Sequence, residues 1–120
     1  MASKAKVGVL GASGYTGSEL ARMLLRHPRA EIVLLTAERS AGKAMRDVFP
    51  QFSPFALSQL VAIEGLDWAK AALDVAFCAL PHATTQKVLK ELLAQAPHTK
   101  VVDLSADFRL HDTAAYAKWY

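Results

Sequence analysis

The chain has 120 residues, 52% hydrophobic and 21% charged, a composition typical of one globular domain rather than a disordered segment. The formal net charge is +3, and the basic residues are scattered, so nucleic-acid binding is not expected. One cysteine excludes an intrachain disulfide, and no apolar stretch approaches the ~20 residues that cross a bilayer. We therefore expect a cytoplasmic protein with no membrane partner.

The first predicted elements are a strand over residues 6–10, a glycine-rich turn over 11–17 and a helix over about 15–27. The turn reads GASGYTG and follows the apolar run VGVL. The helix is predicted from apolar residues at i, i+4 spacing, and Pro28 is expected to stop it. The members of this apolar stripe are Leu20, Ala21, Leu24 and Leu25.

Glycines spaced three apart at a strand-to-helix junction are typical of a backbone that passes close to a phosphate. Gly11 is suited to the tight turn, Gly14 has no Cβ to block a diphosphate, and Gly17 lets the helix pack close to the sheet. The helix start adds unpaired amides and a partial positive charge. Because the spacing departs from the commoner G-x-G-x-x-G, a turn without a ligand is the alternative. The candidate cofactor-binding residues here are Gly11, Ser13, Gly14, Tyr15, Thr16 and Gly17.

A second strand is predicted over residues 32–37, apolar on both faces as in a parallel sheet covered by helices. The loop after it normally decides between the two nicotinamide dinucleotides. Glu38 is typical of NAD binding, whereas Arg39, Ser40 and Lys43 are suited to the 2′-phosphate of NADP. We favour NADP, with Arg39 and Ser40 as its candidate contacts. The alternative is a solvated charged loop.

The rest of the chain continues the alternation of strands and helices. In chain order we predict a loop with at most a short helix (38–59), a strand (60–63), a short helix (66–72), a strand (74–80), a helix capped by Thr84 or Thr85 and running to about 96, a strand (100–104) and a last helix (113–119).

This order predicts the α/β class, with a doubly wound parallel sheet of the Rossmann type. Ligands of such sheets bind outside the carboxyl ends of the strands. We therefore add Pro81 and His82, which follow the strand over 74–80, to the candidate cofactor contacts. For His82 a plain loop or packing role is an equal alternative. The polar residues just past the last strand are expected either to contact substrate or to form a salt-bridged corner: Asp103, Ser105, Asp107 and Arg109.

Cys78 is interpreted as a structural residue rather than a nucleophile. It lies inside an apolar strand between Phe77 and Ala79, and an unactivated buried cysteine behaves as a small hydrophobic residue. No metal site is predicted, because the histidines show no ligand spacing with Cys, Asp or Glu.

The chain resembles the amino-terminal part of the N-acetyl-gamma-glutamyl-phosphate reductases. The matching stretches are residues 11–20, 39–43, 79–82 and 102–110, of which LSADFRL (104–110) is the most specific. Ala83 departs from the family, which often has glycine after the histidine. The resemblance implies an oxidoreductase of arginine biosynthesis that reduces N-acetyl-glutamyl-5-phosphate to the semialdehyde with NADPH. It also implies a cysteine thioester and a homo-oligomeric full-length form.

In that family the nucleophilic cysteine lies in a Gly-Cys-Tyr-Pro-type motif, which this sequence lacks. We therefore expect residues 1–120 to be one dinucleotide-binding domain, an incomplete fragment of a longer enzyme that is inactive alone and carries no catalytic residue. The catalytic second domain would be absent. A free-standing nucleotide-binding or sensor module is one alternative. A related aspartate-semialdehyde-type dehydrogenase is another, against which residues 104–110 argue.

Overall fold

The computed structural model describes residues 4–80 and 84–104. The strands are β1 (Ala5–Leu10), β2 (Ala30–Thr36), β3 (Leu60–Val61), β4 (Val75–Cys78) and β5 (Lys100–Asp103). The helices are α1 (Tyr15–Leu25), α2 (Met45–Val48), α3 (Trp68–Ala71) and α4 (Thr85–Gln95), with a 3₁₀ turn at Pro50–Phe52.

The strands form one parallel sheet in the order β3-β2-β1-β4-β5. β1 is central: Val7 lies opposite Ile32 of β2 on one side and Val75 of β4 on the other. The chain builds outward from β1 in one direction through β3, then returns to the other side of β1 with β4. In a doubly wound sheet this reversal opens a crevice at the carboxyl ends of the strands. The predicted fold class is confirmed.

Apolar side chains cover both faces of the sheet. Successive residues of a strand point to opposite faces, and Val9 and Leu10 of β1 accordingly belong to two separate core clusters. Val9 packs in the cluster that includes Ala21 of α1, whereas Leu10 packs in the cluster that includes Leu92 of α4. This two-sided burial explains why the strand sequences are apolar without alternation.

The element boundaries differ from the predictions at several ends. The third strand has two residues instead of four, and the helix before β4 has four residues instead of seven. Thr84 occupies the N-cap of α4 but makes no side-chain cap hydrogen bond. Its backbone is in the helical region (φ −93°, ψ −29°), whereas a side-chain cap requires an extended residue. The helix predicted over residues 113–119 lies outside the described residues.

Candidate functional site

The turn after β1 is held between two neighbouring strands. Gly11 has φ +84°, and a Cβ there would lie 2.6 Å from the carbonyl oxygen of Ala79, just past β4. Its N–H donates to Oγ1 of Thr36 at 3.0 Å, and the N–H of Ala12 donates to the Thr36 carbonyl at 2.8 Å. Only glycine meets both demands at position 11, a left-handed backbone and close approach to another strand.

The other two glycines of the turn differ in what surrounds them. A Cβ on Gly17 would overlap the carbonyl group of Gly11, so the close packing of α1 onto the turn needs glycine at 17. A Cβ on Gly14 would meet only the Gly11 oxygen at 3.7 Å, an ordinary contact. The missing side chain of Gly14 therefore leaves space on the solvent side of the turn rather than space for packing.

The first turn of α1 presents backbone amides with no protein acceptor. Within residues 4–80 and 84–104, the N–H groups of Tyr15, Thr16 and Gly17 make no hydrogen bond, and the ladder begins with Ser18 donating to the Gly14 carbonyl at 2.9 Å. No acidic residue lies in this turn. Unpaired amides at the positive end of an eleven-residue helix attract anions such as phosphate.

The carboxylate of Glu19 on α1 forms an ion pair with Arg22. Glu19 lies 2.9 Å from the guanidinium of Arg22. The hydrogen bond and the charge of Arg22 lower the pKa of Glu19 below its ordinary value. Its charge is thus paired one helical turn away from the amides.

A cleft of about 570 Å³ opens at this edge of the sheet, large enough for part of a dinucleotide. Its walls are the glycine turn, the end of β2 with its loop, and the residues after β4. The lining residues are Gly11, Ser13, Gly14, Tyr15, Thr16, Thr36, Ala37, Glu38, Arg39, Ser40, Ile63, Ala79 and Leu80.

The loop after β2 brings charged side chains to this cleft. Glu38 and Arg39 are exposed, and Ser40 is half-buried. No ion pair joins Arg39 to another residue in the part of the chain that the structure describes. A guanidinium without a protein partner can form a bidentate pair with a phosphate.

The structure brings together seven of the ten predicted cofactor contacts, which lie on the cleft wall: Gly11, Ser13, Gly14, Tyr15, Thr16, Arg39 and Ser40. Gly17 lies beneath the turn and packs against it. Pro81 and His82 lie outside the described residues, as do Ser105, Asp107 and Arg109. The prediction missed Thr36, whose signal was a polar residue at the end of an otherwise apolar strand.

Cys78 is fully buried in the core cluster with Leu10. Burial, with a smaller contribution from the charge of Asp103, raises the pKa of its thiol to about 12. A thiol with this pKa is protonated at neutral pH and is not a nucleophile. The interpretation of Cys78 as a structural residue agrees with this environment.

Residues 4–80 and 84–104 contain no group of three His, Cys, Asp or Glu side chains that could hold a metal ion. None of their helices is long and apolar enough to cross a bilayer.

Residues 6–118 match the family described as semialdehyde dehydrogenase, NAD binding domain. The chain belongs to this family. It is 72% identical over its whole length to an N-acetyl-gamma-glutamyl-phosphate reductase of Afipia carboxidovorans, of which it covers 34%. It is 54% identical over 96% of its length to the reductase of Rhodobacter capsulatus, of which it covers 32%. The resemblance drawn from the sequence is confirmed, and the chain spans about a third of the length of these relatives.

Among solved structures, an aspartate semialdehyde dehydrogenase with NADP from Candida albicans superposes with a TM-score of 0.74 at 27% identity. The match covers 91% of this chain and 32% of that one. A second such dehydrogenase, from Vibrio cholerae, matches with a TM-score of 0.71 at 21% identity and supports the fold alone. Since sequence identity is far higher to the glutamyl-phosphate reductases, the aspartate alternative is disfavoured.

Proposed function

We propose that this chain is the NADP-binding part of an N-acetyl-gamma-glutamyl-phosphate reductase. The observation that carries the proposal is that two kinds of anion-binding group lie in one cleft: amides at the start of α1 that have no acceptor within the described residues, and the guanidinium of Arg39, which has no ion pair there. The two features suit two separate phosphates of one ligand. The identity of 72% to a reductase of this name supports the assignment to that enzyme.

The chain's own residues would bind and orient the cofactor. The amides of Tyr15 and Thr16, two residues that line the cleft, would donate to the diphosphate, with the hydroxyls of Ser13 and Thr16 beside them. The bound cofactor supplies the hydride for reduction of the substrate. Pro81 and His82 remain proposed contacts near the nicotinamide.

The preference for NADP over NAD is proposed from the loop after β2. Arg39 can pair bidentately with a 2′-phosphate, and the Ser40 hydroxyl can donate to the same group. Glu38 lies on the same wall and would disfavour a phosphate placed close to it. The proposal therefore requires the 2′-phosphate to lie on the Arg39–Ser40 side of the loop.

The remaining parts of the proposal concern the longer enzyme. We propose that residues 1–120 act as one dinucleotide-binding domain in a cytoplasmic, homo-oligomeric reductase whose substrate is a small acyl phosphate. Cys78 cannot act as the nucleophile of a thioester step, because its thiol is buried and its pKa is about 12. The nucleophile would belong to a part of the enzyme outside these residues.

The experiment has two parts, binding and turnover. The 120-residue chain is titrated with NADPH and NADH by calorimetry, and we expect tighter binding of NADPH. Reduction of N-acetyl-glutamyl-5-phosphate is then assayed with this chain and with a polypeptide extended to the length of its relatives. We expect turnover only from the longer polypeptide. Failure to bind either dinucleotide, or turnover by the 120-residue chain alone, would overturn the proposal.

A further inference from the structure

Backbone hydrogen bonds to strand β3 hold both ends of the loop that carries Arg39 and Ser40. At the start of the loop, the N–H of Ala37 donates to the carbonyl of Val61 at 3.0 Å. At its end, the N–H of Gly42 donates to the Leu60 carbonyl at 2.7 Å, and the N–H of Leu60 donates to the Lys43 carbonyl at 2.9 Å. Leu60 is fully buried, so the loop is anchored to a residue of the core.

The loop ends in a tight turn that needs glycine. The N–H of Lys43 donates to the Ser40 carbonyl at 3.0 Å, which closes a four-residue turn. Gly42, the third residue of this turn, has φ +90°, as a type II turn requires. The Ser40 carbonyl is thus one end of the turn, and the conformation of Gly42 affects the backbone next to Arg39.

The side chain of Gln59, the residue before β3, forms a hydrogen bond to the same turn. Nε2 of Gln59 donates to the carbonyl oxygen of Gly42 at 3.0 Å, across 17 positions of sequence. Gln59 is exposed and does not line the cleft. Its hydrogen bond therefore acts on the shape of the loop and not on a ligand directly.

We propose that Gln59 is a specificity-determining positioning residue, which holds the Arg39–Ser40 loop in the conformation that binds a 2′-phosphate. This inference rests on the proposed function, because it assumes that Arg39 and Ser40 bind that phosphate. A loop ordered before binding loses less conformational entropy when the ligand arrives. The diphosphate amides lie on α1, which Gln59 does not contact through this bond, so the effect is confined to the 2′-phosphate.

The test compares Gln59→Met with Gln51→Met. Methionine keeps the length of the side chain, removes the donor and adds no charge. Gln51 is another exposed glutamine, in the 3₁₀ turn, and serves as the matched control. Affinities for NADPH and NADH are measured by calorimetry on the 120-residue chain, and thermal unfolding is followed by circular dichroism.

We expect Gln59→Met to weaken NADPH binding about three- to tenfold, the effect of one hydrogen bond, and to leave NADH binding unchanged. The melting temperature should fall by a few degrees at most, because the folded chain loses the same hydrogen bond. Gln51→Met should change neither affinity. Gly42→Ala is the second variant: its Cβ meets nothing within 4 Å, but φ +90° is strained for alanine. It should cause the same selective loss.

The outcomes separate this inference from the proposed function. If the parent chain prefers NADPH and Gln59→Met keeps the full preference, the role of Gln59 is refuted and the function stands. Equal losses for NADPH and NADH would also refute it, because they would indicate a structural role. A parent chain without preference for NADPH would overturn both proposals.

Discussion

Substitution of Gly14 by valine tests whether the glycine turn binds a diphosphate, with little effect on the fold. The backbone at Gly14 is extended (φ −86°, ψ 173°), a conformation that valine adopts readily. The new Cβ would meet only the Gly11 oxygen at 3.7 Å. Because valine is a poorer N-cap than glycine, we expect the free energy of unfolding to fall by no more than about 1 kcal/mol.

The same substitution should remove most of the dinucleotide affinity. Its methyl groups would extend into open space on the cleft wall, which Gly14 shares with Tyr15 and Thr16 and their unpaired amides. Loss of two hydrogen bonds to a charged diphosphate, at about 1.5–3 kcal/mol each, predicts an affinity at least ~100-fold lower for both NADPH and NADH.

Calorimetric titration measures this loss, and circular dichroism verifies that the variant is folded. Ala94→Val, an exposed position on α4 away from the cleft, adds the same two methyl groups as a control and should bind normally. A folded Gly14→Val chain whose NADPH affinity stays within about threefold of the parent would refute the reasoning, since 3 kcal/mol corresponds to about 150-fold.

Four further predictions concern the 2′-phosphate contact, the buried cysteine and the packing of the turn. Arg39→Glu should lower the affinity for NADPH far more than the affinity for NADH. Arg46→Glu makes an equal change of charge away from the cleft and should lower neither affinity selectively. Equal losses of affinity for NADPH and NADH in Arg39→Glu would exclude a contact between Arg39 and the 2′-phosphate. Cys78→Ser should lower the free energy of unfolding by about 1–3 kcal/mol in urea titrations and leave NADPH affinity unchanged. In the parent chain, the pKa of Cys78 is raised from its ordinary value of 9.0 to about 12, so the contribution of this thiol to stability is complete below pH 9. The free energy of unfolding should fall as the pH rises from about 9 to 12, and Cys78→Ser should abolish this pH dependence. Gly17→Ala should cost at least about 2 kcal/mol by overlap with the Gly11 carbonyl, with Gly14→Ala as the nearly neutral control; similar melting temperatures for the two would count against the packing role.

The long, periodic elements could be predicted from the sequence. β1, β2 and β4 are recognisable as apolar runs, and α1 and α4 by their helical spacing. The short elements could not be delimited, because their ends depend on partners far along the chain. A strand was predicted over residues 60–63, but β3 extends only over Leu60 and Val61, the two residues that pair with β2.

The candidate site shows the same division. The glycine turn and the Arg39–Ser40 loop could be identified locally, because glycine spacing and side-chain charge are properties of short segments. Thr36 and Gln59 could not be identified from the sequence, because their hydrogen bonds, to Gly11 and Gly42 respectively, span 25 and 17 positions. Long-range bonds of this kind are readable only after the strands have been paired.

The sequence by itself determined the fold class, the family and the two segments suited to phosphates. The sequence also predicted a separate role for each glycine of the turn and a site at the carboxyl edge of the sheet. Only the tertiary structure shows what each absent Cβ would meet and which residues line the cleft. The physical reason is that a glycine's role depends on what its absent Cβ would meet. A Cβ at Gly17 would meet the backbone of the turn, whereas a Cβ at Gly14 would enter open space. The parallel pairing of β1 with β2 and β4 places this open space at the carboxyl edge of the sheet.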